Sequence, residues 1–131
     1  MSQPAPRVLA VGHCHADTAS IRHVLEQEFG ADVDSAEGES DAIRQLQSAP
    51  YDLVAVNRVF EFGGDGLQFV RTLQADEQLR HVPVVLVSNY EWAQEEAVRL
   101  GALPGFGKSE LGSRSMIERL RRALDHRTEA R

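Results

Sequence analysis

Cysteine is all but missing: Cys14 is the single one in 131 residues. One thiol excludes an intramolecular disulfide and suits a reducing compartment. No apolar run approaches the roughly 20 residues that a membrane-spanning helix needs. The opening Met-Ser-Gln-Pro-Ala-Pro is too short and polar for a secretory signal. A cytoplasmic location without membrane contact is expected. Basic charge is scarce too, with a net charge of -6. That argues against a nucleic-acid binder, whose affinity comes from Lys and Arg meeting phosphates. A local basic patch remains open, since Arg114, Arg119, Arg121, Arg122 and Arg127 crowd the C-terminal end. Internal repeats, low-complexity tracts and linkers are absent as well.

What is present has an ordinary globular balance, 42% hydrophobic and 26% charged, at the length of one domain. Residues 1–6 read as a disordered lead-in, 7–126 as the domain and 127–131 as a tail. The apolar run Arg7–Gly12 reads as a buried first strand. Asp17 is placed as the N-cap of a helix over 18–29, with Gly30 at its C′ position. Residues 31–36 suit a half-exposed edge strand, followed by a helix that stops before Pro50. Tyr51–Asn57 is a central strand whose apolar run, Leu53–Val56, suits burial on both faces. A polar loop, 57–65, leads to a helix with Leu67, Phe69, Val70 and Leu73 inward. Val82–Ser88 is the second fully apolar strand. A helix over 92–100 buries Ala93, Ala97, Val98 and Leu100, 103–106 forms a short last strand, and a helix spans 110–126. Five strands alternating with five helices imply right-handed βαβ units and an α/β fold. The doubly wound, flavodoxin-like sheet order 2-1-3-4-5 is the economical arrangement. In such sheets ligands bind beyond the carboxyl ends of the strands, where Asn57 stands.

Over about residues 7–125 the chain resembles the receiver domains of two-component response regulators. The resemblance rests on Tyr-Asp-Leu-Val-Ala-Val-Asn at 51–57, Gly-Asp-Gly-Leu at 64–67 and Val-Pro-Val-Val-Leu-Val-Ser at 82–88. Leu-Gly-Ala at 100–102 and Lys108 complete it. The family implies an aspartate that accepts a phosphoryl group, two acids that help hold Mg²⁺, and a Ser/Thr and a Lys that bind phosphoryl oxygens. Ser88 and Lys108 match the last pair. The acceptor position is instead Asn57, whose neutral amide oxygen is a poor nucleophile. The acid pair falls on Gly12 and His13, a glycine without ligand atoms and an imidazole ill suited to an oxygen-preferring ion. The loop after Asn57 is one residue longer than the family's and lacks its proline. Ser109 stands where the family has a cis proline; a cis bond without proline costs about 2.5–4 kcal/mol, so a trans bond or a rebuilt loop is expected.

The resemblance therefore implies a pseudo-receiver: a non-enzymatic signalling module, without cofactor or metal, that acts by binding a protein partner. Without an output domain after it, it would pass its signal by association, as a monomer or weak homodimer. The candidate contacts are Tyr90, Trp92 and Phe106, on the face of the fourth helix, fifth strand and fifth helix; core packing of Trp92 stands as an equal alternative. His13-Cys14-His15 is read as a solvated loop in preference to a metal or redox site. Lys108 is expected to pair with Glu61, Asp65 or the Asn57 carbonyl, in preference to binding an anion with Ser88. Asn89 is expected to fill part of the site. Two rival readings are phosphorylation on a displaced acid (Glu61 or Asp65) and sensing of a small anion or metal in the vacated pocket. Asp52 lies roughly 16 Å along the strand from its end, out of reach.

Overall fold

The computed structural model describes residues 4–129, with side chains described to Asp125. Strands β1 (Arg7–Val11), β2 (Asp32–Ala36), β3 (Leu53–Asn57), β4 (Val84–Val87) and β5 (Leu103–Phe106) form one parallel sheet in the order β2-β1-β3-β4-β5. Between and after them run α1 (His15–Phe29), α2 (Glu39–Ser48), α3 (Gly66–Ala75), α4 (Glu91–Arg99) and α5 (Arg114–Glu129). A single 3₁₀ turn, Lys108–Glu110, precedes α5. The expected architecture is the observed one.

The strand side chains alternate between two cores, as the two-residue period of a strand requires. Leu9, Val11, Val54, Val56, Val84 and Leu86 pack with Ala42, Phe69, Val70 and Ala97 from α2, α3 and α4. Val8, Ala10, Leu53, Ala55, Val85 and Val87 face the other way, onto Ile21 and Leu25 of α1 and Met116 and Leu120 of α5. Both faces of β3 are buried along its whole length. Asn57 is thereby fixed as the last residue of a fully enclosed strand.

Several local expectations are corrected. Cys14, not Asp17, caps α1: its Sγ accepts from the Asp17 N–H at 3.4 Å, and the helix begins at His15. Gly112 (φ 86°) interrupts the chain before the last helix. The Ser113 hydroxyl accepts from Met116 N–H at 3.1 Å, so α5 starts at Arg114 rather than 110 and continues to Glu129. Pro6 is buried and its carbonyl accepts from Asp32 N–H at 2.9 Å, so the packed body starts before residue 7. Residues 1–3 and 130–131 of the expected lead-in and tail lie outside the described residues. Val98 is exposed rather than inward.

Candidate functional site

Parallel strands bring their C-terminal ends to one edge, so Gly12, His13, Asn57, Ser88 and Lys108 gather there from four loops. Their hydrogen bonds are directed mostly into the protein's own backbone. The Asn57 amide nitrogen donates to Gly12 O at 3.1 Å and to Val59 O at 2.6 Å. Both protons of the NH₂ group are thus used between two carbonyl oxygens, a place that suits partial positive charge. Gly12 O also accepts from Glu61 N–H at 2.9 Å. The carbonyls lie against N–H donors and no carboxylate stands at position 12, 13 or 57, so this donor set does not fit Mg²⁺.

His13 is buried, not part of a solvated loop. Its Nε2 lies 3.0 Å from Ala55 O. A carbonyl only accepts, so Nε2 carries the proton and Nδ1 the lone pair. Nδ1 is buried with no hydrogen-bond partner among the described residues. Desolvation holds the imidazole below its ordinary pKa, with the Lys108 charge adding to the effect, against the Ala55 carbonyl and Asp17. His13 is a neutral structural bolt. His15 is an exposed residue of α1, and no group of three or more His, Cys, Asp or Glu among the described residues is placed to hold a metal ion.

Lys108 pairs neither with the β3–α3 loop nor with Asn57. Its Nζ is 2.7 Å from Asp17 Oδ2, in the first turn of α1. That hydrogen bond is the main reason the Asp17 carboxyl sits below its usual pKa. Ser88 is buried, and its hydroxyl accepts from Tyr90 N–H at 3.2 Å as the chain turns into α4. Asn89 braces the neighbouring loop, its Oδ1 accepting from Ser109 N–H at 3.0 Å and the Ser109 hydroxyl at 3.1 Å. The described peptide bonds are all trans, including Lys108–Ser109.

Phe60 fills the space beside Gly12. A Cβ added at residue 12 would meet its ring at 2.3 Å, and one at Gly64 at 2.6 Å. The buried ring also meets Phe69 edge-on, with centroids 6.1 Å apart. The longer loop is a tight hairpin: Val59 bridges Asp65, Phe60 N–H donates to Gly64 O, and Gly63 N–H returns to Phe60 O. Its other acids are displaced or occupied. Glu61 is exposed, and Asp65 caps α3 by accepting from Leu67 N–H at 2.9 Å. Asp52 accepts from Arg7 N–H at the opposite end of the sheet. Outside the hairpin, a crevice of about 570 Å³ is lined by residues that include His13, Cys14, Arg22, Glu37 and Glu61.

Of the three expected contact residues, two are exposed and one is buried. Tyr90 and Trp92 are each 55% exposed, which decides against core packing for Trp92, whereas Phe106 is 1% exposed and belongs to the core beneath α1 and α5. The two exposed rings flank a cation that sequence reasoning missed: the Arg58 guanidinium lies 5.1 Å from the Tyr90 centroid and 5.5 Å from that of Trp92. The register Asn57↔Val87 supplied the signal, because it sets the residues just after β3 beside those just after β4.

Comparison of this geometry with solved structures gives a consistent answer. A crystal structure of NtrX from Brucella abortus is similar over 96% of this chain, with a TM-score of 0.81 and 22% identity; the chain spans only 28% of that protein. A sensor protein from Polaromonas sp. JS666 matches over 93% of this chain and 98% of its own, with a TM-score of 0.81 and 25% identity. The chemotaxis response regulator CheY4 of Vibrio cholerae matches over 93% and 98%, with a TM-score of 0.68 and 20% identity. The fold is the receiver fold. No protein-family model matches the chain, and comparison with curated proteins gives no match. Among the described residues no helix is long and apolar enough to cross a membrane.

Proposed function

We propose that this chain is a signal-transduction module of the receiver type that takes no phosphoryl group, is not an enzyme, and acts by binding a protein partner. One observation carries the reading: the residue at the end of β3 is an amide whose two protons are committed to Gly12 O and Val59 O. Covalent transfer needs an activated nucleophile and a means of neutralising the incoming charge. Asn57 offers neither, and Lys108, the nearby cation of the expected set, is occupied by Asp17. The exposed Tyr90–Trp92 pair supports association instead, since large aromatic side chains serve as anchors at protein interfaces. The test is incubation with acetyl phosphate and Mg²⁺ followed by intact mass measurement. The unmodified mass is expected; a stoichiometric phosphoryl adduct removable by hydroxylamine would overturn the proposal.

A further inference from the structure

We infer that the Arg58–Tyr90–Trp92 cluster recognises a carboxylate on the protein partner, presented by an Asp or Glu beside an apolar residue. This deepens the reading above and rests on it. Three observations converge. The Arg58 guanidinium stands against two aromatic rings, which are themselves in contact at 6.2 Å between centroids. Aromatic rings beside a guanidinium displace water from it, and a guanidinium can form two-pronged hydrogen bonds to a carboxylate. Second, no carboxylate among the described residues forms an ion pair with Arg58, so the charge held against the two rings is not neutralised there by an acid of the fold. Third, both rings are about half exposed, so apolar area surrounds the cation. A buried neighbour beside the carboxylate would cover the rings and strengthen the charge pair by excluding water.

Charge selects the occupant. The chain carries a net charge of -6, and exposed Glu91 lies between Tyr90 and Trp92 in sequence. A densely charged phosphate polymer would meet repulsion there, whereas a single carboxylate asks for one cation. A peptide segment is therefore favoured over nucleic acid or an anionic bilayer.

The chain has one tryptophan, so Trp92 emission reports on the cluster directly. Random linear peptides displayed on phage would be selected on the full chain, and the winners synthesised with each acid and with its amide counterpart. Enrichment of Asp or Glu next to an apolar residue is expected. Replacing that acid by its amide should weaken binding, read by Trp92 emission, about ten-fold or more. Arg58→Gln should do the same, and Arg58→Lys should lose most of the affinity despite keeping the charge. Circular dichroism of the variants should match the parent. Winners without acid preference, winners bound equally by Arg58→Gln, tighter binding of a phosphorylated counterpart, or no winners at all would each overturn the inference. Calorimetry of the winners against Trp92→Ala separates the two readings. Acid-independent winners that are still lost in Trp92→Ala leave the aromatic partner surface standing, and winners indifferent to it remove that surface too.

Discussion

The Lys108 ammonium lies 2.7 Å from the Asp17 carboxylate, joining the loop after β5 to the first turn of α1 across the edge of the sheet. Asp17 also stands at a helix N-terminus, where negative charge is favoured. With 42% and 35% of the two side chains exposed, solvent screens the pair, and its contribution is under about 1 kcal/mol. The Asp17 pKa is depressed in the folded chain, so the stability it supplies is present above the unfolded value and lost as pH falls through the folded one. Urea denaturation of Asp17→Asn should show a small loss near neutral pH and a shallower decline in acid than the parent.

His13 adds a second pH dependence, at milder acidity. Its folded pKa lies below the ordinary 6.5 because burial disfavours the cation. The unfolded chain therefore takes up a proton first, and stability should begin to fall as pH drops through about 6.5. His13→Gln, whose amide can still donate to Ala55 O, should remove that part of the slope. An unchanged slope would show that His13 is not its source.

Asn57→Asp exchanges a two-proton donor for a carboxylate facing two carbonyl oxygens. The loss of both bonds should cost about 1–3 kcal/mol at neutral pH. Acid should lessen the deficit, because a protonated carboxyl regains one donor. Thermal melting at neutral and acid pH measures this. A variant as stable as the parent at neutral pH would show that the amide's two hydrogen bonds do little.

Gly66 and Gly63 separate close approach from backbone conformation. A Cβ at Gly66 would lie 2.1 Å from Asn57 O, a backbone atom that cannot swing aside, while one at Gly63 (φ 99°) meets nothing within 4 Å. Gly66→Ala should cost about 1–3 kcal/mol or more through overpacking. Gly63→Ala should cost only its strained φ, about 1–3 kcal/mol, and leave the Asn57 amide resonances in place. Chemical denaturation with two-dimensional NMR distinguishes the two, since only Gly66→Ala should displace Asn57.

Phe106 and Trp92 test which aromatics are core and which are surface. Phe106→Ala should lose about 3–5 kcal/mol, as large-to-small changes in a core do. Trp92→Ala should stay within about 0.5 kcal/mol of the parent. Equal losses would contradict the burial difference.

The sheet order was legible because β1, β3 and β4 are short unbroken apolar runs separated by helix-length segments, a pattern with few other solutions. That positions 12, 13 and 57 carry no carboxylate was legible as well, since it depends on identity at a position rather than on packing. What the residues around them do instead was not. Cysteine is a rare helix cap, so Cys14 passed for a loop residue and Asp17 for the cap, which hid the partner of Lys108. Phe106 ends a strand of four residues, Leu-Pro-Gly-Phe, too short for an alternation pattern to show which face it takes. Gln94 has the same character: its amide nitrogen lies within hydrogen-bond distance of Leu86 O, Ser88 O and Phe106 O, its two protons shared among them, and its oxygen accepts from Gly105 N–H. A polar helix residue carries no mark in sequence that it seals the gap between two strands.

The phenyl ring of Phe60 ties residue 12 to the hairpin after β3. Any side chain introduced at residue 12 would collide with it, so an acid placed there demands a smaller residue at 60 in the same step. That second change alone would open a void against Phe69. Introducing an acid at residue 12 thus crosses a destabilised intermediate whichever change is made first, so the two positions can only be exchanged as a pair.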